Sequence, residues 1–287
     1  MLNRSPSGPG TMIRVIDVRY VVVNTGMNNP RKYGEAPYSI AVIHGGPGAP
    51  GEMAPVAREL SLTYGVLEPF QSKGTLKGQL EELKAILKDN GDLPITLIGY
   101  SWGAMLCFIF AAWNPSFVKK LILVSSGVFE DKYAANIMKT RLSRLSPEER
   151  TRIDHLTEEL NDPAEKEKNT IFAQLGELIA KADSYDPLPH ENEVIEYQYD
   201  IYQSVWRDAE GMRSNGGLLK IGNETKCPVV AIHGGYDPHP AEGVETPLSG
   251  VLDDFRFILL EHCGHHPWYE KQAKEKFFAI LRKELQF

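Results

Sequence analysis

Ser101, Asp237 and His265 each stand just beyond an apolar run, and together they offer a nucleophile, an orienting acid and a general base. A serine hydroxyl is a weak nucleophile until a base takes its proton, and that base needs a third group to hold it. Ser101 is the centre of Gly99-Tyr100-Ser101-Trp102-Gly103, between the apolar run Leu93 to Ile98 and the helical pattern Ala104 to Trp113. Strand, G-x-S-x-G turn and helix make a sharp elbow that lifts the serine above a sheet. Small residues two positions either side relieve the crowding, hence Gly99 and Gly103. Asp237 leaves the run Cys227 to His233 through Gly234-Gly235-Tyr236, and His265 follows the run Phe255 to Leu260. The chain order Ser, Asp, His is the order such an elbow requires. A fourth element is His44-Gly45-Gly46-Pro47-Gly48, after the run Tyr38 to Ile43. Its glycines let backbone N–H groups point at developing negative charge. The expected oxyanion donors are the N–H groups of Gly46 and Trp102.

These strings, H-G-G-P-G, G-Y-S-W-G, G-Y-D and C-G-H-H-P-W in this order, resemble the α/β-hydrolase superfamily. The H-G-G-P-G loop and the tryptophan after the serine are similar to the proline iminopeptidase branch. The resemblance spans roughly residues 13–125 and 227–287. It implies an acyl-enzyme mechanism and a substrate that is a small ester, an amide or a short peptide with a free N-terminus. It implies no metal and no organic cofactor. Two positions depart from the branch. Its usual D-Q-R-G-x-G-x-S is here Glu68-Pro69-Phe70-Gln71-Ser72-Lys73-Gly74-Thr75, and Pro238 follows Asp237 where some of those peptidases place an amine-binding glutamate. For an aminopeptidase, Glu193 and Glu196 are then the candidate carboxylates for the substrate amine. An esterase is the alternative, and a non-catalytic ligand receptor on the same fold is the alternative of another class.

Competing roles exist for several of these residues. His266 is the rival base, and Asp237 before Pro238 also suits an Asx turn. His262, Cys263, His265 and His266, with Asp237 or His239, have ligand types a metal would accept, but a metal centre leaves the elbow and glycine loop without a purpose. His44 suits a role bracing the glycine loop.

The elements that must position this chemistry alternate. Strand patterns fall at Ile13 to Val23, Ser39 to Ile43, Tyr64 to Leu67, Pro94 to Ile98, Lys120 to Val124, Val229 to His233 and Arg256 to Leu260. Leu76 to Asn90 has a helical period with Gly91 as its stop. Alternation predicts an α/β-hydrolase fold: a mainly parallel sheet with helices on both faces. Between Gly127 and Asn215 the strands cease, and helical patterns run over Lys132 to Leu145, Ser146 to Leu160, Pro163 to Ala182 and Glu191 to Ala209. Ser146-Pro147-Glu148-Glu149 reads as a capped helix start. The predicted organisation is a core over 13–127 and 216–287, with an inserted helical cap over 128–215. Residues 1–12, rich in Gly, Pro and Ser, read as a disordered leader without the apolar segment of a signal peptide.

The chain has 287 residues, is 42% hydrophobic, and carries a formal net charge of −7 with no basic stripe. That charge balance argues against nucleic acid or an anionic membrane surface as partner. No run approaches the ~18 apolar residues of a membrane span. Three scattered cysteines suggest reduced thiols and a cytoplasmic setting.

Overall fold

The computed structural model describes residues 28–286, so the leader and the strand pattern Ile13 to Val23 lie outside it. The strands are β1 Arg31–Tyr33, β2 Tyr38–Ile43, β3 Gly65–Glu68, β4 Ile95–Tyr100, β5 Val118–Val124, β6 Val229–Gly234 and β7 Phe255–Leu260. They form one sheet in the order β1-β3-β2-β4-β5-β6-β7. Only β1 runs antiparallel, against β3; the remaining pairings are parallel. The three-residue β1 carries too short a pattern to be read from sequence.

The central strands bury both faces, which is why they read as continuous apolar runs rather than alternating ones. Alternate residues feed two cores. Ile43, Leu97, Leu121, Leu123 and Ala231 pack on one face, under α2 (Leu76–Asn90) and α3 (Trp102–Trp113). Val42, Ile98, Ile122, Val124 and Ile232 pack on the other, under α1 (Ala54–Leu60) and α11 (Lys274–Leu285). A helix α10 (Glu242–Ser249) joins β6 to β7. The helical reading of Leu76 to Asn90 matches α2, where Thr75 caps the first turn by accepting from the Gly78 N–H.

Between β5 and β6 come α4 Asp131–Ala134, α5 Ile137–Ser143, α6 Pro147–Asn161, α7 Lys168–Asp183, α8 Tyr199–Ser214 and α9 Gly217–Lys220. The Ser146 start is a reciprocal capping box: Ser146 Oγ accepts from the Glu149 N–H and Glu149 accepts from the Ser146 N–H. The expected helix Lys132 to Leu145 is two short helices. The one expected from Glu191 begins only at Tyr199. Two backbone donors of residues 191–198 instead go to the loop after β2: Ile195 N–H bonds the Pro50 carbonyl at 2.8 Å and Gln198 N–H the Gly48 carbonyl at 3.0 Å. Among the described residues no helix is long and apolar enough to cross a membrane.

Candidate active site

Parallel strands end on a common edge, and the loops after β2, β4, β6 and β7 meet there. Ser101 takes φ 51° and ψ −116°, the strained conformation of a sharp elbow. Its flanking glycines are compulsory. A Cβ on Gly99 would sit 2.3 Å from the Gly103 carbonyl oxygen, and one on Gly103 would sit 2.3 Å from that of Ile43. Strand β4 thus packs directly against the start of α3, and the helix N-terminus begins beside the serine.

His265 Nε2 lies 3.1 Å from Ser101 Oγ, and His265 Nδ1 lies 2.6 Å from Asp237 Oδ2. A carboxylate only accepts, so Nδ1 carries the proton and Nε2 is left to accept from the serine hydroxyl. Burial alone would raise the Asp237 carboxyl, but His265, His233 and His239 around it hold it well below the usual carboxylate range. Burial would likewise depress His265, yet the Asp237 charge and hydrogen bond raise it above the ordinary histidine value. The electrostatics therefore favour an ionised acid beside a base that readily accepts a proton.

The structure joins Ser101, Asp237 and His265 by hydrogen bonds and leaves His266, edge-on to the His265 ring at 5.5 Å, without one to Ser101 or Asp237 among the described residues. The His266 ring faces Trp268 edge-on, and its Nε2 lies 3.5 Å from Glu52. His262 is exposed against the Tyr185 hydroxyl, and the buried Cys263 thiol donates to the Gly264 carbonyl. His262, Cys263 and His266 are thus engaged separately, while His265 converges with Asp237 and His239, their ligand atoms within 4.8 Å of one another. The Asx reading of Asp237 coexists with its partnership to His265: Oδ1 accepts the His239 backbone N–H at 2.9 Å.

Gly46 sits at φ +107°, a region that side chains disfavour. The N–H groups of Gly46 and Trp102 have no protein acceptor among the described residues. The loop that holds Gly46 is braced as a unit. His44 Nε2 accepts the Gln71 N–H at 3.1 Å, and Gln71 Nε2 donates to the His44 carbonyl at 2.8 Å. Gln71 also accepts from the Trp102 indole at 2.8 Å, and Gln79 accepts from the same N–H at 3.1 Å. Full burial pushes His44 down to about 4, so it stays neutral and serves as an acceptor. The Trp102 indole is enclosed at 1% exposure, edge-on to Trp206 of α8.

The structure does not bring Glu193 or Glu196 to Ser101 by any contact. Glu193 is paired with Arg58 at the surface, and Glu196 is exposed. Sequence reasoning passed over Glu52, whose carboxylate accepts the Gly45 N–H at 3.2 Å beside the glycine loop. It also passed over Glu270, 1% exposed, which accepts the N–H groups of Gly264, Tyr185 and Asp186. The available signal was position: Gln71 falls inside the segment that departs from the D-Q-R-G pattern, and Glu270 follows the histidine by five residues.

Comparison with known proteins agrees with this architecture. The family model described as "alpha/beta hydrolase fold" matches residues 63–272. A proline iminopeptidase of Lactobacillus crispatus (strain ST1) is 22% identical over 282 residues, covering 86% of this chain and 89% of that protein. The crystal structure of a Mycobacterium smegmatis proline iminopeptidase superposes with a TM-score of 0.58 at 19% identity, covering 90% of this chain and 93% of that one. A lipase-like protein from Acinetobacter baumannii AYE gives a TM-score of 0.58 at 19% identity, covering 88% and 87%. With its parallel sheet, its elbow and a family match over most of its length, the chain belongs to the alpha/beta hydrolase family of enzymes and resembles its proline iminopeptidase branch.

Proposed function

We propose that this protein is a serine hydrolase that turns over acyl substrates through a covalent acyl-enzyme. The observation that carries the reading is the unbroken chain Ser101 Oγ, His265 imidazole, Asp237 carboxylate, with links of 3.1 and 2.6 Å. Ser101 attacks the acyl carbon while His265 Nε2 takes its proton. The Gly46 and Trp102 N–H groups receive the oxyanion. His265 then protonates the leaving group, and the same imidazole activates the water that frees the acid. Asp237 keeps the imidazole in the Nδ1–H tautomer and stabilises the imidazolium. Residues 128–215 act as the cap that shapes the pocket, since residues 193–198 lie against the glycine loop: a Cβ on Gly48 would meet the Gln198 carbonyl at 2.5 Å.

A small ester is the substrate class the contacts favour, because Glu193 is already engaged by Arg58 and Glu196 faces outward. One observation supports an aminopeptidase as the second reading. Glu52 is a partly buried carboxylate at the glycine loop, and among the described residues its ionic neighbour is His266 rather than a lysine or arginine. A substrate ammonium would supply that missing positive charge. Purified protein assayed on nitrophenyl acyl esters and on amino-acid anilides decides between them. Ester turnover alone supports the first reading. Anilide turnover with a KM raised by Glu52→Gln supports the second. Failure on both classes, with no fluorophosphonate adduct at Ser101, rejects the hydrolase mechanism and leaves the receptor alternative.

A further inference from the structure

Asp237 is held by more than one imidazole. Its Oδ2 takes the His265 Nδ1–H. Its other oxygen, Oδ1, lies 2.8 Å from Nδ1 of His239 as well as 2.9 Å from the His239 backbone N. The His239 ring stacks on the His265 ring, with centroids 4.8 Å apart and planes 29° from parallel. Asp237, His239 and His265 are thus one buried cluster, converging within 4.8 Å. Pro238 between the two residues fixes the backbone φ, so the peptide returns His239 onto the carboxylate in an Asx-type turn.

We propose that His239 is a positioning residue for the hydrolytic reaction: its Nδ1–H fixes Oδ1 of Asp237, so that Oδ2 stays aimed at His265. The inference rests on the serine-triad reading. The carboxylate can only accept, so His239 Nδ1 must carry the hydrogen. Its Nε2 has no protein hydrogen-bond partner among the described residues. An imidazolium would donate from Nδ1 as well, but burial disfavours the charged form, and no acceptor among the described residues would hold a second proton at Nε2, so the neutral ring is favoured. Neutrality matters because His265 becomes an imidazolium in the reaction; a second cation stacked on it would repel it. The groups that face His239 are Asp237, His265, His233, whose Nε2 bonds the His239 carbonyl at 2.8 Å, and Arg141 of α5. Without the Nδ1–H donor the carboxylate turns more freely, and its charge falls more heavily on Oδ2. His265 then loses its fixed aim and binds its proton more tightly.

Two near-isosteric variants of the full chain separate this role from mere packing. In His239→Asn the amide nitrogen replaces Nδ1; in His239→Gln it sits one methylene further out. The readouts are kcat and KM for a nitrophenyl ester and the rate of fluorophosphonate labelling at Ser101, each against pH. The Asn variant is expected to stay within about threefold of wild type with an unmoved acid limb. The Gln variant is expected to lose roughly ten- to a hundredfold in kcat and in labelling rate, the range for partners that orient an imidazole. Its KM should be little changed, and its acid limb should move to higher pH. If Asn and Gln behave alike, whether both active or both crippled, the positioning role is overturned. Absence of Ser101 labelling in the wild type overturns the triad reading itself. Should the Gln variant not fold, nitrogen-15 spectra of the wild-type histidines decide. The inference requires His239 to remain the neutral Nδ1–H tautomer while His265 titrates, and a His239 protonated on Nε2 in that range overturns it.

Discussion

The sheet edge and the helical segment between β5 and β6 are built by different means. At the edge, backbone meets backbone: Ser101 N–H bonds the Val124 carbonyl at 3.0 Å, and glycines stand where a Cβ has no room. The helical segment has two small apolar clusters of its own, one around Leu156, Leu160, Ile171 and Tyr199, the other around Leu145, Ile153 and Ala182. Its α8 packs Val205 and Ala209 into the main core, while α5 and α7 reach the edge through polar links. Asp183 at the end of α7 offers its carbonyl to the His265 N–H at 2.9 Å. Its carboxylate takes a two-pronged bond from Arg141 of α5 at 2.8 and 2.7 Å. Glu270 then binds Tyr185 and Asp186 to the histidine loop. The lesson is that Ser101 and His265 are held by tightly packed backbone, whereas α5, α7 and the residues after α7 reach the histidine loop through a few buried polar contacts.

The largest effect expected is on the edge itself. Ser101→Ala and His265→Ala should each lower kcat by at least ~10⁴-fold while leaving thermal unfolding close to wild type, because triad members act as a unit. His266→Ala should cost less than about tenfold, since its ring serves Glu52 and the aromatic shelf. Steady-state kinetics on one ester rank the three; a reversed order of the two histidines would move the base to His266.

The buried pair in the covering segment gives the next effect. Arg141→Met leaves the Asp183 carboxylate buried without its cation, and breaking such a pair costs about 3–5 kcal/mol. Arg141→Met with Asp183→Leu removes both charges and should recover much of that loss. The Asp183 backbone carbonyl remains to hold His265, so the double variant should keep its kcat. Denaturant unfolding of the single and double variants, read beside kcat, checks both statements. A double variant as unstable as the single one would show that the pair contributes by packing rather than by charge compensation.

His44 tests the bracing of the glycine loop. Burial lowers it from an ordinary value near 6.5 to about 4. The unfolded chain therefore takes up this proton at a higher pH than the folded one does. The contribution of His44 to stability is present above about pH 6.5 and drains away as pH falls towards 4. The shift corresponds to about 3 kcal/mol at ~1.4 kcal/mol per unit. Urea midpoints measured between pH 7 and 4 should fall for the wild type and fall less for His44→Asn. Activity should decline with acid over a higher range, where the raised His265 takes up its proton and ceases to be a base.

The sequence was legible where structure is dictated by hard local rules. The elbow glycines, the continuous apolar runs of the central strands, and the capping box at Ser146 are such cases. Legibility failed where a side chain's partner comes from far along the chain. Glu193 reads as free for a ligand, yet its partner Arg58 lies 135 positions away. Residues 191–198 read as helix because their periodicity cannot reveal that the Gly48 and Pro50 carbonyls take their donors. Glu270 escapes notice, and His239 reads only as a metal ligand, for a related reason: each acts through other groups that its neighbours' types do not reveal.

The smallest effect sharpens the same contrast with a single methyl group. Gly103 and Gly211 both lie in helices, α3 and α8. A Cβ on Gly103 would press on the carbonyl oxygens of Ile43 and His44 at 2.3 and 2.5 Å, and neither can retreat without moving the glycine loop. Gly103→Ala should therefore destabilise the protein and lower kcat together. On Gly211 a Cβ meets nothing within 4 Å, and no positive φ stands in its way. Alanine there removes freedom from the unfolded chain and favours the helix, so Gly211→Ala should stabilise by about 0.5–1 kcal/mol with kcat unaltered. Calorimetric Tm values for the two variants, set beside their ester turnover, provide the check. A Gly211→Ala protein with altered kcat would mean that α8 reports to Ser101 through more than the Trp206 contact on Trp102, and the division between the sheet edge and the helices between β5 and β6 would have to be redrawn around that helix.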